Sequence, residues 1–283
     1  MARNIKITGG VLNIRLHPHP DGVYQEFFEA IYRLKRPVKI RGEKYGIISL
    51  LNRSEGDEGL LTGFITTFTN IDTEDPWFDA SSLKEATDNQ ISNISIPENL
   101  FPNSHAFNFI FDTNNHRLYV QTYSNGKTLS INGAQTLIET LSSDLGIVAR
   151  FGEAKVTVVQ TKAGLARVFG LKVIKRIIVT IEKPNADIFE DDFDDKMEEY
   201  LDELHTKKLT LVYEAEAGKS IRPNASLRRV GESALEHGSV VAEGRDDQGA
   251  TRRSTDESPQ ALHDRYDPDE TSENLAFRRL MGR

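Results

Sequence analysis

Two histidines stand one residue apart in the segment RLHPHPDGVYQEFF, Arg15 to Phe28, and His17 and His19 are the first pair whose type and spacing could do chemistry. On an extended backbone, residues i and i+2 point to the same side, so two imidazoles could share a metal ion or relay a proton. Each is followed by a proline, which confines it to extended or polyproline conformations and delays the start of the next helix. A rigid connector from strand to helix is the simpler account of HPHPD, with His17 and His19 kept as candidate catalytic residues.

A second constellation needs metal. A metal-dependent nuclease places an acid on one strand and an acid-x-lysine triplet on the next, the acids to hold the ion and the lysine to orient water. Asp144 with Glu153 and Lys155 can be drawn into that shape, although a chain with 35 Lys or Arg and 43 Asp or Glu yields such triplets by chance. Dense carboxylates in DIFEDDFDDKMEEYLDEL could also ligate a divalent cation. There, however, Phe189, Phe193, Met197, Tyr200, Leu201 and Leu204 recur at helical spacing, which predicts a solvated acidic helix over 188–204 and no metal. Such a helix is a candidate surface for a basic protein partner. No phosphate-binding glycine loop, dinucleotide fingerprint, nucleophile elbow or zinc-protease motif occurs, so no cofactor is implied and enzymatic activity stays open. The other histidines, His105, His116, His205, His237 and His263, are scattered and read as surface or hydrogen-bonded residues.

Cations cluster instead. YRLKRPVKIRGEK carries Arg33, Lys35, Arg36, Lys39, Arg41 and Lys44 against one acid, Glu43. If Arg33, Arg36, Lys39 and Arg41 share a face they can meet successive phosphates, and Tyr32 can stack on an unpaired base. Arg228, Arg229, Arg252 and Arg253 form a candidate second patch. A net charge of −8 argues against a general nucleic-acid binder, yet residues 187–203 hold ten acids and one lysine and account for the acidity.

Positioning these residues falls to alternating elements. Period-2 alternation predicts strands over Gly10–His17, Lys44–Leu51, Gly59–Thr69, Ala154–Gln160 and Lys172–Glu182, and a hairpin around Thr113–His116. Three- and four-residue spacing predicts a helix after an Asp21 cap, another from Ser130 to Leu141, and shorter ones later. The expected fold is α+β, with two coupled halves, each a mixed or antiparallel sheet with helices on one face, plus a C-terminal β-hairpin around Asp246–Gly249. The units are 1–72 (β-α-β-β), 73–103 (connection), 104–216 (second α+β unit) and 217–283 (helix, hairpin and short helix). There are no cysteines, no apolar leader and no run of eighteen apolar residues, so a cytoplasmic protein without a membrane span is expected.

LHPHPDGVYQEFFEAI and GSVVAEGRDDQGATRRSTDESPQALHDRYDP resemble an uncharacterised prokaryotic domain-of-unknown-function family linked to phage defence, and the element order is distantly similar to the phage-exclusion protein RexA. The resemblance implies defence-linked nucleic-acid binding and carries no catalytic residue across. The expected function is a non-enzymatic DNA- or RNA-binding component of an antiphage, abortive-infection-like system, with a homodimer as one arrangement. The alternatives are a metal-dependent nuclease or RNA-processing enzyme, and a protein-interaction module using helix 188–204.

Overall fold

Strand-forming and helix-forming periodicities alternate along the chain, and the fold is accordingly α+β. The computed structural model describes residues 4–17, 20–53, 59–72, 75–183 and 192–282. In chain order the elements are β1 (Ile5–Arg15), α1 (Val23–Arg33), β2 (Val38–Arg41), β3 (Lys44–Arg53), β4 (Leu60–Thr69), β5 (Phe78–Asp79), β6 (Lys84–Glu85) and α2 (Asp88–Ile91). Next come β7 (His105–Asp112), β8 (Arg117–Ser124), β9 (Lys127–Thr128), α3 (Ile131–Ser142), α4 (Leu145–Phe151), β10 (Lys155–Val158), α5 (Lys162–Phe169) and β11 (Val173–Glu182). The chain ends with α6 (Asp192–Glu203), β12 (Lys208–Glu214), α7 (Ala225–His237), β13 (Gly238–Asp246), β14 (Gly249–Ser254), β15 (Ala261–Tyr266) and α8 (Glu273–Met281).

The large antiparallel sheet runs β10-β1-β8-β7-β4-β3-β2, with β15 also on β1 and β9 on β8. β1 lies along β8 on one side, and on the other along β15 through Ile5–Gly10 and β10 through Leu12–Arg15. Its successive side chains alternate between faces. Leu12, Ile14 and Leu16 enter the main core with Phe27, Phe28 and Ile31 of α1 and Leu137, Ile138 and Leu141 of α3. The opposite parity supplies Ile7, which packs with Phe277 and Leu280 of α8, and Asn13 and Arg15, both fully buried.

Two local expectations change. The first strand begins at Ile5 and ends at Arg15, so His17 lies beyond it. Helix α1 is capped by Gly22 at φ 78°, a left-handed conformation suited to glycine, and Asp21 does not cap it. Ser130 does cap α3, its hydroxyl accepting from the Gly133 amide at 3.1 Å.

The second sheet runs β12-β11-β13-β14, all antiparallel. Helices α5 and α7 cover one face, where Leu165, Val168 and Phe169 meet Ile177, Val179, Ile181, Val240 and Ala242. α7 turns directly into β13 at Gly238, where a Cβ would lie 2.0 Å from the Thr180 carbonyl oxygen; only glycine allows that approach. This corner meets the large sheet through polar side chains. Thr157 donates to the Glu236 carbonyl at 2.6 Å, Gln160 to the Gly238 carbonyl at 2.8 Å, and Arg117 pairs with the Glu236 carboxylate. Among the described residues no helix is long and apolar enough to cross a membrane.

Candidate nucleic-acid interface

The cationic run Arg33–Lys44 spans the end of α1, the edge strand β2 and the start of β3, and the structure gives its members different surroundings. Arg33 bonds to Glu29 at 3.2 Å, one turn back on the helix, and Arg53 of β3 reaches the same carboxylate at 2.7 Å. Burial pushes the Glu29 carboxyl up, but hydrogen bonds from Arg53 and Gln25 and the nearby arginine charges outweigh it and hold the group below its ordinary value. Arg36 turns the other way, to the Asp144 carboxylate at 2.9 Å and the Thr140 carbonyl at 3.1 Å. Lys39 bonds to Glu43 at 2.9 Å, which raises its pKa. Lys35 is exposed after α1 at φ 46°, and Arg41 is exposed on β2. The run is thus three separate ion pairs and two exposed cations rather than one stripe.

Lys44 differs from the others. It is half-buried, donates to the Thr128 carbonyl, and its ammonium is held below the usual lysine range by burial and by the charge of Lys127. Lys44 also lies 5.8 Å from the centre of the Phe107 ring. Its neighbour Tyr45 stacks on Phe68 at 6.2 Å and 10°, and Phe68 stacks on Phe101 at 4.6 Å and 25°. Phe101 remains 38% exposed. Consecutive strand residues face opposite ways, so the ladder of Tyr45, Phe68 and Phe101 lies on the other face of the sheet from Lys44, and the cation paired across from Tyr45 is Lys39; Tyr32, expected from the sequence to stack, packs against the main core instead. The ladder joins residues from three segments, and only strand register and a returning loop assemble it.

The second set divides as well. Arg228 and Arg229 are exposed on α7, with the Arg228 guanidinium 5.6 Å from the Phe169 ring centre. Consecutive strand residues face opposite ways. Arg253 turns toward α5, donating to the Arg167 carbonyl at 3.0 Å and to Asp246 at 3.1 Å, whereas Arg252 lies 3.9 Å from Glu243 on the other face.

His17, Glu153 and Lys155 do come together, in a cleft of about 270 Å³ shared with Lys183, Asp202, His205, Thr206 and Lys207. His17 Nδ1 is 3.8 Å from Glu198, Glu153 bonds to Lys155 at 2.9 Å and Lys207 at 3.3 Å, and Lys183 pairs with Asp202. The hydrogen bond and charge of Lys155 hold the Glu153 carboxyl low. Asp144 takes no part: it caps α4, accepting from Gly146 at 3.0 Å. The seven-residue helix stands between it and Glu153, a span of about 10 Å at 1.5 Å per residue. Among the described residues no group of three His, Asp or Glu could hold a metal. His19 lies outside the described residues. Lys183, Lys207 and His205 carry no sequence signal for this cleft, because three distant segments bring them to it.

The acidic run is described from Asp192, its side chains from Lys196. Leu201 is buried and Met197 packs on the second core, but Tyr200 and Leu204, expected on the buried stripe, are 50% and 52% exposed. Glu198 and Asp202 both pair with Lys183, Glu198 turned inward and Asp202 still exposed, and Glu199 and Glu203 are exposed to solvent.

A family model described as "Domain of unknown function (DUF4747)" matches residues 5–282. No curated protein matches the chain.

Proposed function

We propose that this chain, which belongs to the family described as Domain of unknown function (DUF4747), is a non-enzymatic nucleic-acid-binding component of an antiphage, abortive-infection-like system. The observation that carries the binding is the ring stack of Tyr45, Phe68 and partly exposed Phe101, with Lys39 across from Tyr45 on one face of the sheet and Lys44, half-buried beside Lys127, on the other. A phosphate relieves repulsion between two such cations, and a neighbouring aromatic surface accepts an unstacked base. Single-stranded DNA or RNA suits that combination better than duplex. The surface pairs of Arg33, Arg36 and Lys39 open at small cost, since exposed ion pairs are weak and screened by salt, so these residues can add phosphate contacts. The antiphage setting is inferred from the resemblance of the opening and closing segments.

Mobility-shift titration at low salt with single-stranded and duplex DNA and RNA tests the proposal. Binding that weakens with salt, and weakens further when Arg41 and Lys44 are reversed to glutamate, supports it. No binding to any of the four, or an affinity and salt slope unchanged by the reversals, overturns it.

A second proposal, a nucleic-acid-processing enzyme, is favoured by the meeting of His17, Glu153 and Lys155 in one cleft. Strand cleavage abolished in His17→Ala, with binding retained, would favour it over the non-enzymatic one.

A further inference from the structure

Among the described residues β12 is an edge strand, hydrogen-bonded on one side to β11 over Lys208–Glu214. The Ala215 amide donates to the Lys175 carbonyl and the Lys183 amide to the Lys207 carbonyl, so the odd-numbered residues bond inward. In an antiparallel ladder the alternate residues then direct their amides and carbonyls outward. Lys208, Thr210, Val212 and Glu214 present that free edge. Edges of this kind are commonly guarded by proline, a bulge or a covering element. The β11–β12 register runs unbroken through KLTLVYE, which contains no proline, and Val212 is 49% exposed.

The charges on the same face suggest what completes it. Across the sheet, Arg252 lies 3.9 Å from Glu243, Glu243 lies 3.8 Å from Arg176, and Arg176 lies 3.6 Å from Glu214. This row alternates in sign through four strands and ends on an acid at the open edge. The residue that would continue it is a cation, and β12 carries one at its other end, Lys208. An antiparallel copy of KLTLVYE centred on Leu211 sets Lys208 opposite Glu214, Leu209 opposite Tyr213 and Thr210 opposite Val212, each twice. The outward-bonding even residues face one another in that register, as a ladder requires. Half-buried Leu209 and Tyr213, the latter 37% exposed, would cover each other on the helix-side face.

We infer that β12 pairs antiparallel with β12 of a second copy of this chain, joining two four-stranded sheets into one of eight strands across a twofold axis at Leu211. Sedimentation velocity on the full chain tests this through reversed charges. The wild type sediments at twice the chain mass. Lys208→Glu and Glu214→Lys, each of which opposes like charges in the pair, sediment at the single-chain mass. An equimolar mixture of the two variants restores twice the chain mass, because each acid then faces a cation; this restoration also shows that both variants fold. A wild type at single-chain mass, a variant that stays dimeric, or a mixture that stays at single-chain mass overturns the inference.

Discussion

Arg15 and His237 meet with neither side chain exposed, the guanidinium Nη1 lying 3.4 Å from the imidazole Nδ1. The guanidinium can only donate, so Nδ1 accepts and the imidazole proton resides on Nε2. Nη1 also donates to the carbonyls of Glu182 and Lys183, each at 3.1 Å. Asn13 adds a contact to the Glu236 carbonyl at 3.4 Å. These bonds carry β1 of the large sheet to the end of β11 and the α7–β13 corner of the small one, and with the Thr157, Gln160 and Arg117 contacts they fasten the two sheets together.

Stability is expected to depend on His237. Burial first, then the charges of Arg15 and Arg117, push its pKa well below the ordinary 6.5. The folded imidazole stays neutral where the unfolded one takes a proton, so its stabilisation is full above about 6.5 and is lost progressively as pH falls toward the folded value. One group supplies at most about 1.4 kcal/mol per pH unit. Denaturant melts between pH 7.5 and 5.5 should show this slope, and His237→Gln should flatten it.

Arg15→Ala should destabilise the fold by about 3–5 kcal/mol, the usual cost of breaking a buried charged network. Burial lowers the Arg15 pKa to about 10, which leaves it charged at neutral pH beside Glu182 at 3.6 Å. Arg15→Lys, too short to make both carbonyl bonds, should recover only part. Chemical denaturation of the three proteins decides.

At the proposed nucleic-acid surface, Lys44→Glu and Arg41→Glu should each lower the salt slope of binding by about one. Arg33→Glu should do less, because Glu29 already pairs with Arg33 and Arg53. Affinity measured across a salt series separates the three.

Tyr45→Ala should cost about 1–3 kcal/mol on single-stranded ligands and little on duplex, where bases are not free to stack. Fluorescence anisotropy with matched oligonucleotides provides the comparison.

Asp144→Ala should lower stability by about 1 kcal/mol through loss of the α4 cap, with a further small loss of the Arg36 pair. Melting temperature is the readout. Any strand cleavage by the wild type should survive this change, since Asp144 stands apart from the cleft.

Several elements were legible because their signals are local. The Ser130 cap and the Leu137, Ile138 and Leu141 spacing of α3 and the Asp246–Gly249 turn all act within a few residues. β2 and β15 were missed: Val38–Arg41 and Ala261–Tyr266 are short strands rich in charge, the first held by a tight turn to the following strand β3 and the second by β1, far away in the sequence. His17 and Lys155 were noticed separately, but nothing in their spacing tells that they share a cleft with Lys183 and Lys207.

The sequence by itself determined the class of fold, the cationic run and the acidic one, because apolar periodicity and charge are properties of neighbouring residues. Tertiary structure alone decided which charges are neutralised and which face each side chain takes. Arg15, whose burial no local feature of the sequence marks, is fully buried because its parity on β1 points it away from the main core, to where the second sheet docks. Arg36 is tied to Asp144 across 108 residues, while Lys44 is left beside Lys127. Such outcomes depend on contacts between distant segments, and those exist only once the strands have paired.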